Sequence, residues 1–446
     1  PMSRSVATAS SAHLVASVID DGRASPKQFL VIALCVLFNM VDGFDITAMA
    51  IVASGVAADL DLSADRLGLT FSFALAGMMA GAKGLAPLSD IIGRRKLIVA
   101  SLLLIGVSIM LTANANTLTE FVALRFVSGL GGGSLLASQA TLAAEYSPEK
   151  YRALGVTVVT SGYPAGAMMT SVIGGLVMPE YGWRGMFWFG GIATLAMAVV
   201  AAVLIPESLK FLFERRPGNA LERSNRILAW LGKPTIDALP NIAVQDENGK
   251  RNLLGNMRAL LSDEHWKATL ILWATFFMCF GTLYFLMSWI PRLMEQSGFS
   301  AEAGRKAFFL FNFSAIIGVF SLGFLATRWK LSKLVSGFLF LSAVAMVAFA
   351  AAPKNLDLLL AITFVMGFLQ QGGFTGLYAV AAKLYPTSIR STGIGWAIGL
   401  GRFGAVVGPA LAGYLIAAGL DMSMNYYLFA IPMAIGGILA WRTHVR

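Results

Sequence analysis

Charged residues are scarce in this chain of 446 residues. Asp, Glu, Lys and Arg together make up 13% of it, whereas 57% is hydrophobic and the mean hydropathy is +0.71. So few charges do not suit a surface that faces water on all sides. The sequence therefore excludes an ordinary soluble protein and predicts that lipid is the solvent for most of the chain.

Cysteine and histidine are also rare. Cys35 and Cys279 are the two cysteines and both fall in apolar segments, which argues against a disulfide framework and a thiolate metal site. The three histidines, His13, His265 and His444, all lie outside the apolar segments. A catalytic cluster and a nucleotide-binding loop are missing too. We therefore expect no metal, no cofactor and no enzymatic activity.

Apolar runs of about twenty residues recur along the chain, and each could cross the hydrocarbon core of a bilayer as an α-helix. The pattern predicts an all-α membrane protein with twelve transmembrane helices in two six-helix bundles. The first six spans are predicted at 29–55, 65–87, 97–114, 118–143, 153–178 and 185–206. The second six are predicted at 268–291, 305–327, 334–352, 357–382, 391–418 and 423–441.

The spans define the domain organisation. A tail at 1–28 precedes a six-helix bundle at 29–206, a polar central loop at 207–267 follows, and a second bundle at 268–441 precedes a tail at 442–446. Because consecutive helices alternate direction, both tails, the central loop and every even-to-odd connection share one side of the membrane. Most of the basic residues outside the spans belong to that side, which is therefore predicted to be cytoplasmic. This distribution explains the net charge of +10 without a nucleic-acid partner.

The two sets of spans contain an internal repeat. A shift of 238 residues pairs glycines and prolines of the first half with those of the second. The pairs are Gly43 with Gly281, Gly129 with Gly367, Pro148 with Pro386, Arg152 with Arg390, Gly155 with Gly393, and Gly166 with Gly404. Six helices per half is an even number, so the halves have the same orientation and are related by a pseudo-two-fold axis along the membrane normal.

The loop after the second span reads Ala-Pro-Leu-Ser-Asp-Ile-Ile-Gly-Arg-Arg-Lys over residues 86–96. It resembles the signature loop of the major facilitator superfamily, although Ala86 stands where a Gly is usual. The resemblance implies that Asp90, Gly93 and Arg94 belong to a gate that helps to hold an outward-open state. Asp90 and Arg94 are four residues apart and could pair, or Asp90 could lie at the start of the eleventh helix.

Three further charges lie at predicted cytoplasmic helix ends and are interpreted as gate salt bridges and topology anchors. They are Glu145, Arg152 and Arg390.

The first span carries Asn39-Met-Val-Asp42-Gly43-Phe44-Asp45. This motif resembles the aromatic acid:proton symporter family, whose members carry benzoates, hydroxybenzoates and related acids into bacteria. The resemblance implies a multi-pass protein of the bacterial inner membrane that imports an aromatic carboxylate together with protons by alternating access. One two-half bundle forms a complete path, so a monomer is expected.

Four ionisable residues lie well inside spans, where each costs about 3 kcal/mol on insertion scales. They are Asp42, Asp45, Arg125 and Arg402. Since no span contains a histidine, a carboxylate must carry any transported proton, and we hypothesise that Asp42 or Asp45 does so. The alternative is that one of them only caps or pairs with an arginine in the bundle.

Arg402 is predicted to anchor the substrate, because its guanidinium can hold a carboxylate in bidentate fashion. The alternative is a salt bridge between helices. Arg125 could either bind substrate or pair with Asp42 or Asp45. Residues that could line the pocket are Asn39, Tyr163, Tyr284, Asn312, Gln371, Phe374 and Tyr378, of which the last three share one helical face.

Two rival functions remain open at this stage. A non-aromatic acid such as muconate or another dicarboxylate would want two cationic anchors, and Arg125 could be the second. A proton-driven efflux transporter of cationic compounds would instead be expected to lack an arginine at mid-membrane, so Arg402 argues against it.

Overall fold

A computed structural model of the protein describes residues 25–240, 258, 260–262, 265–385 and 390–442. Eleven of its helices are long and apolar enough to span a membrane. In chain order the helices are α1 (Pro26–Asp59), α2 (Ala64–Gly84), α3 (Arg94–Thr112), α4 (Leu118–Tyr146), α5 (Arg152–Leu204), α6 (Leu209–Arg215), α7 (Ala220–Leu231), α8 (Trp266–Gln296), α9 (Ala301–Leu325), α10 (Leu331–Ala351), α11 (Leu356–Leu384), α12 (Arg390–Ala417) and α13 (Met422–Arg442). All except α6 and α7 are spanning helices.

The difference between eleven helices and twelve predicted spans comes from α5. This element has 53 residues, which at 1.5 Å per residue would be about 80 Å of straight helix, more than twice the thickness of a hydrocarbon core. Gly182 interrupts it with φ 61° and ψ −162°, a conformation open essentially only to glycine. The predicted fifth and sixth spans lie on either side of this break, so α5 accounts for both of them.

Side-chain caps set several helix starts. The hydroxyl of Ser25 accepts a hydrogen bond from the amide of Lys27 (3.4 Å), and the amide of Ser25 donates to Oε1 of Gln28 (2.7 Å). The side chains of Ser300 at α9 and Asn355 at α11 each accept a hydrogen bond from the amide three residues later. Such caps satisfy backbone amides that have no partner inside the helix. They explain why α1 begins at Pro26, three residues before the predicted span.

The start of α1, the end of α4 and the stretch after α5 gather on one face of the bundle. Gln28 donates to the carbonyl of Tyr146 (3.1 Å), and the hydroxyl of Tyr146 donates to the carbonyl of Glu207 (2.6 Å). Because the spans alternate direction, both described ends of the chain lie on this face. We call it the terminal face, and the opposite one the far face.

Glycines let helices cross closely at equivalent places in the two halves. A Cβ at Gly129 of α4 would overlap the backbone of α2, and one at Gly367 of α11 would overlap that of α9. Gly166 of α5 stands against α1 in the same manner, as Gly404 of α12 does against α8. Contacts of this kind are typical of helix packing in membranes. The internal repeat of the sequence therefore corresponds to a repeat of helix crossings.

The two halves are joined at the far face. The hydroxyl of Ser54, near the end of α1, hydrogen-bonds to Glu295 of α8 and accepts a bond from Nη1 of Arg292 (3.3 Å). Gly68 of α2 lies against α12, with the carbonyl oxygen of Pro409 at 2.9 Å from the position of a Cβ at Gly68. Any opening of the far face must break these contacts.

Part of the predicted central loop is helical. Helix α7 is amphipathic, with Leu228 and Leu231 buried and Glu222 paired with Arg226 (3.0 Å) on its exposed side. The remainder of that loop at 241–257, 259 and 263–264 lies outside the described residues. So do 1–24 and 443–446 of the predicted tails, and 386–389, which include Pro386 of the repeat.

Candidate functional site

A buried polar stripe runs along α1 at mid-membrane. Asn39, Asp42 and Asp45 have at most 2% of their surface exposed. The carboxylate of Asp42 faces Gly132 of α4, where even a methyl group would collide with it. Within the described part of the chain, neither oxygen of Asp42 has a hydrogen-bond partner. A buried carboxylate in this situation is costly in its charged form, and less costly when it binds a proton.

Asp45 has a different environment, because it forms an ion pair with Arg125 of α4. The same guanidinium donates to the carbonyl oxygens of Asp45 (3.0 Å) and Ile46 (3.4 Å), and it lies 5.8 Å from the ring centre of Phe187. Arg125 is 1% exposed. The structure therefore has Arg125 engaged with Asp45.

We expect the Asp45 and Arg125 pair to act as a unit in folding. Asp45→Asn or Arg125→Gln alone leaves one buried charge without its partner, which should destabilise the protein by about 3 to 5 kcal/mol. The double variant removes both charges and should recover most of that loss. Thermal unfolding in detergent, followed for both single variants and the double variant, measures the coupling. Additive losses would show that the two side chains contribute independently.

Asn39 and Asn312 are predicted pocket residues whose side-chain amides hydrogen-bond within the protein. Asn39 donates to the carbonyl of Val159 in α5 (2.7 Å) and accepts from the amide of Gln139 in α4 (2.9 Å). Asn312 donates to the carbonyl of Phe308, one turn earlier in α9 (2.9 Å). Asn39 thus ties three helices of the first half together beside Asp42.

Arg402 of α12 lies across the interface from Asp42. It is partly exposed, and within the described ranges it forms no hydrogen bond and no ion pair. Its charge interacts electrostatically with Asp42 and with three buried tyrosines, namely Tyr163, Tyr284 and Tyr378. A cation inside a membrane span without a partner is available to bind an anionic ligand.

Aromatic rings from α8 and α11 form a wall next to Arg402. Phe280 packs edge-on against Phe374 (ring centres 4.7 Å apart) and stacks with Tyr284 (6.3 Å). Tyr378 contacts Phe374 (5.5 Å) and Phe276 (5.4 Å). Gly401 precedes the arginine, and a side chain there would overlap the Phe280 ring. The wall and the guanidinium together offer an apolar, aromatic surface beside a positive charge.

The second half supplies this wall, and the first half faces it with Tyr163 of α5. Tyr163 and Tyr284 line a narrow cavity between the halves, together with Thr47, Phe71 and Met287. Gln371 is partly buried on α11, three residues before Phe374. The predicted pocket residues Tyr163, Tyr284, Gln371, Phe374 and Tyr378 thus lie on the elements that surround Arg402.

The predicted gate residues form a cluster at the terminal face. Arg94 is 4% exposed and pairs with Asp90 (2.7 Å), and its Nε lies 3.6 Å from Glu145 of α4. Gly93 has φ 102° and precedes α3, so the loop turns there in a conformation that favours glycine. The hydroxyl of Ser208 donates to Glu145. The loop between α2 and α3 is thereby attached to the end of α4 and to the stretch after α5.

The other predicted gate residues lie at helix starts on the same face. Arg152 is the first residue of α5, and Arg390 is the first residue of α12. Arg390 donates from Nε to the carbonyl of Tyr385 (3.2 Å). Asp90 does not depend on Arg94 alone for its position, because Arg215 of α6 donates to its backbone carbonyl (2.9 Å).

A family model described as Major Facilitator Superfamily matches residues 33–334 and 306–446. The chain belongs to the major facilitator superfamily. It is 30% identical over 413 residues to the 4-hydroxybenzoate transporter PcaK of Pseudomonas aeruginosa, which covers 92% of this chain and 91% of that relative. It is 28% identical over 430 residues to the benzoate transport protein of Acinetobacter baylyi, covering 95% and 91%.

A solved structure is similar across the same length. The crystal structure of a D-xylose-proton symporter has a TM-score of 0.72 at 15% identity, and the match covers 93% of this chain and 97% of that one. At this identity the likeness shows the fold. The predicted major facilitator fold is confirmed, and the protein is a multi-pass membrane transporter rather than an enzyme.

Three residues of this major facilitator chain belong to the sites but were not predicted for them. Glu207 is 3% exposed and accepts from the amides of Arg95 (3.1 Å) and Ser208 (3.0 Å), which fixes the start of α3. Phe276 and Phe280 complete the aromatic wall. Their spacing of four residues, continued by Tyr284, was a usable signal for one helical face. Glu207 has no such pattern around it, because its partner in α3, Arg95, is 112 residues away in the sequence.

Proposed function

We propose that this protein is a proton-coupled symporter that imports an aromatic carboxylate by alternating access. The observation that carries the proposal is the unpaired Arg402 beside the aromatic wall of α8 and α11. A guanidinium can hold the carboxylate, and apolar rings can cover the ring of the substrate. The names of the relatives, a 4-hydroxybenzoate transporter and a benzoate transport protein, support the same class of substrate.

Asp42 is the residue that we propose to carry the proton. Its carboxylate is buried without a hydrogen-bond partner among the described residues, and it interacts with Arg402 across the two halves. When the halves separate at one face and Arg402 withdraws, the charged form loses its compensation and a proton binds. When the protein opens at the other face and Arg402 again approaches Asp42, the charged form of Asp42 is stabilised and the proton is released. Asp45, in contrast, is paired with Arg125.

One carboxylate that carries one proton predicts electroneutral transport of a monoanion. Uptake would then depend on the pH difference and be insensitive to membrane potential, whereas two protons would add about 2.3 kcal/mol per 100 mV for the additional charge. We also propose that the terminal face is cytoplasmic and that the membrane is the bacterial inner membrane. The basic residues Arg94, Arg95, Lys330 and Arg442 on that face support this orientation.

The test is uptake of labelled 4-hydroxybenzoate, protocatechuate, benzoate and muconate into proteoliposomes, with and without an inward-directed proton gradient. We expect gradient-dependent accumulation of at least one aromatic acid, unchanged when valinomycin and potassium impose a membrane potential. Protein-free liposomes control for diffusion of the protonated acids.

Preference for muconate would overturn the aromatic class, and absence of uptake of all four acids would overturn import. Arg125 is engaged with Asp45, so among the residues that the structure describes Arg402 is the cation available at the centre, which favours a monocarboxylate over a dicarboxylate.

A further inference from the structure

A second cation lies between the central site and the terminal face. Lys83 is in the last turn of α2 and is exposed. Neither the signature motifs nor the central site includes it. A lysine within a spanning helix is costly when it faces hydrocarbon, and it can avoid that cost either by reaching the headgroup region or by facing water and anions between helices.

The direction of the side chain distinguishes these two possibilities. The Nζ of Lys83 lies 3.6 Å, and its Cε 3.7 Å, from the position of a Cβ at Gly399 of α12. Apart from the neighbouring backbone of α12 and the residues next to Gly399, no other described atom comes within 4 Å of that position. The lysine therefore extends from the first half of the protein over the backbone of the second half.

Gly399, which Lys83 approaches, lies close to the proposed substrate anchor Arg402 on α12. Gly399 precedes Arg402 by three residues, so the two share a face of α12 about 4.5 Å apart along the helix axis. Helix α12 begins at the terminal face, which places Gly399 and Lys83 on that side of Arg402. One turn further toward the terminal face, a Cβ at Gly395 would have no described atom within 4 Å. Among the described residues, the space beside α12 is thus open from Lys83 to Gly395.

Lys83 resembles Arg402 in having no partner. Within the described ranges it forms no hydrogen bond and no ion pair. Arg94 and Arg125, in contrast, are both paired with carboxylates. Arg402 and Lys83, both without a hydrogen bond or ion pair among the described residues, thus lie on the same stretch of α12 and of the helix packed against it.

We propose that Lys83 is a second anion-binding group, which holds the substrate carboxylate between Arg402 and the terminal face. The proposal rests on the function proposed above. A carboxylate that leaves Arg402 reaches the ammonium of Lys83 about one helical turn away. Release of the substrate from Arg402 into water at the terminal face is thereby divided into two shorter steps. The same position favours anions that approach Arg402 from the terminal face.

The experiment compares the half-saturation concentration for 4-hydroxybenzoate at the two faces. Exchange is measured in right-side-out and in inverted membrane vesicles, and protease cleavage of a tag placed after residue 446 identifies the exposed face. For Lys83→Gln we expect the half-saturation concentration to rise about tenfold at the terminal face and to stay within about twofold at the far face, as for the loss of one charged hydrogen bond. Lys83→Arg should restore the wild-type value.

Lys330→Gln is the matched control, because Lys330 is also exposed on the terminal face and carries the same charge. An unchanged half-saturation concentration for Lys83→Gln at the terminal face would overturn the proposal, as would an equal rise at both faces or an equal rise in Lys330→Gln. If the wild-type protein exchanges none of the four acids, the proposed function fails and this inference fails with it. If the wild type exchanges 4-hydroxybenzoate and Lys83→Gln behaves like it, only the inference fails.

Discussion

Replacing Asp42 with asparagine should abolish uphill accumulation of substrate and leave exchange of labelled for unlabelled substrate intact. Asparagine is nearly isosteric with aspartate but binds no proton in the relevant range, so the halves would still rearrange around the substrate without coupling to the proton gradient. With one proton per monoanion, the wild type should accumulate substrate about tenfold for each unit of pH difference. Asp42→Asn should accumulate none above equilibrium.

The control for Asp42→Asn is a variant that neutralises the neighbouring Asp45 without leaving a buried charge unpaired. Asp45→Asn combined with Arg125→Gln meets this requirement, because it removes both members of the buried pair. We expect this double variant to retain gradient-driven accumulation. Undiminished accumulation in Asp42→Asn would reject Asp42 as the carrier, and undiminished accumulation in both Asp42→Asn and Asp45→Asn would reject the entire hypothesis of a carboxylate on α1.

Arg402→Lys should raise the dissociation constant for an aromatic carboxylate by about ten- to hundredfold. Lysine keeps the positive charge, but it lacks the planar fork that makes two parallel hydrogen bonds to one carboxylate. Loss of one charge-assisted hydrogen bond is worth about 1.5 to 3 kcal/mol, which corresponds to that range of affinity. Equilibrium binding to purified protein in detergent measures the change without requiring transport.

The control for this substitution is Arg184→Lys. Arg184 lies near the far face and pairs with Asp59, outside the central cavity. The Arg184→Lys variant should therefore bind substrate with the same affinity as the wild type. Equal affinity in Arg402→Lys and the wild type would reject the role of Arg402 as anchor and would leave an interhelical role as the alternative.

The sequence predicts most of the fold because hydropathy reports directly on lipid contact. Each predicted span falls on a helix, and the errors are at helix ends, where caps such as Ser25 extend α1 beyond its apolar run. The break in α5 was implied by the gap between two spans. Its location at Gly182 could not be specified, since nothing in the sequence distinguishes that glycine from its neighbours.

The candidate site is predicted less completely, because helical periodicity places a residue on a face but does not say which helix faces it. Asp42 and Asp45 are equivalent by spacing, and the choice between them depends on Arg125, eighty residues away on α4. The role of Glu207 depends in the same way on a contact with the start of α3, which is distant in the sequence. The sequence does not single out Lys83, because a lysine at the end of a span is usually only an anchor at the membrane surface.

The repeat of helix crossings has a consequence for how the two halves diverged. The shift of 238 residues that pairs the crossing glycines places Phe280 opposite Asp42 and Pro164 opposite Arg402. Duplication would have copied scaffold and chemistry alike, yet the scaffold is retained in both copies while each charge survives in only one. In the proposed function, the first copy handles protons and the second handles the organic anion, so neither half would be a smaller version of the whole transporter.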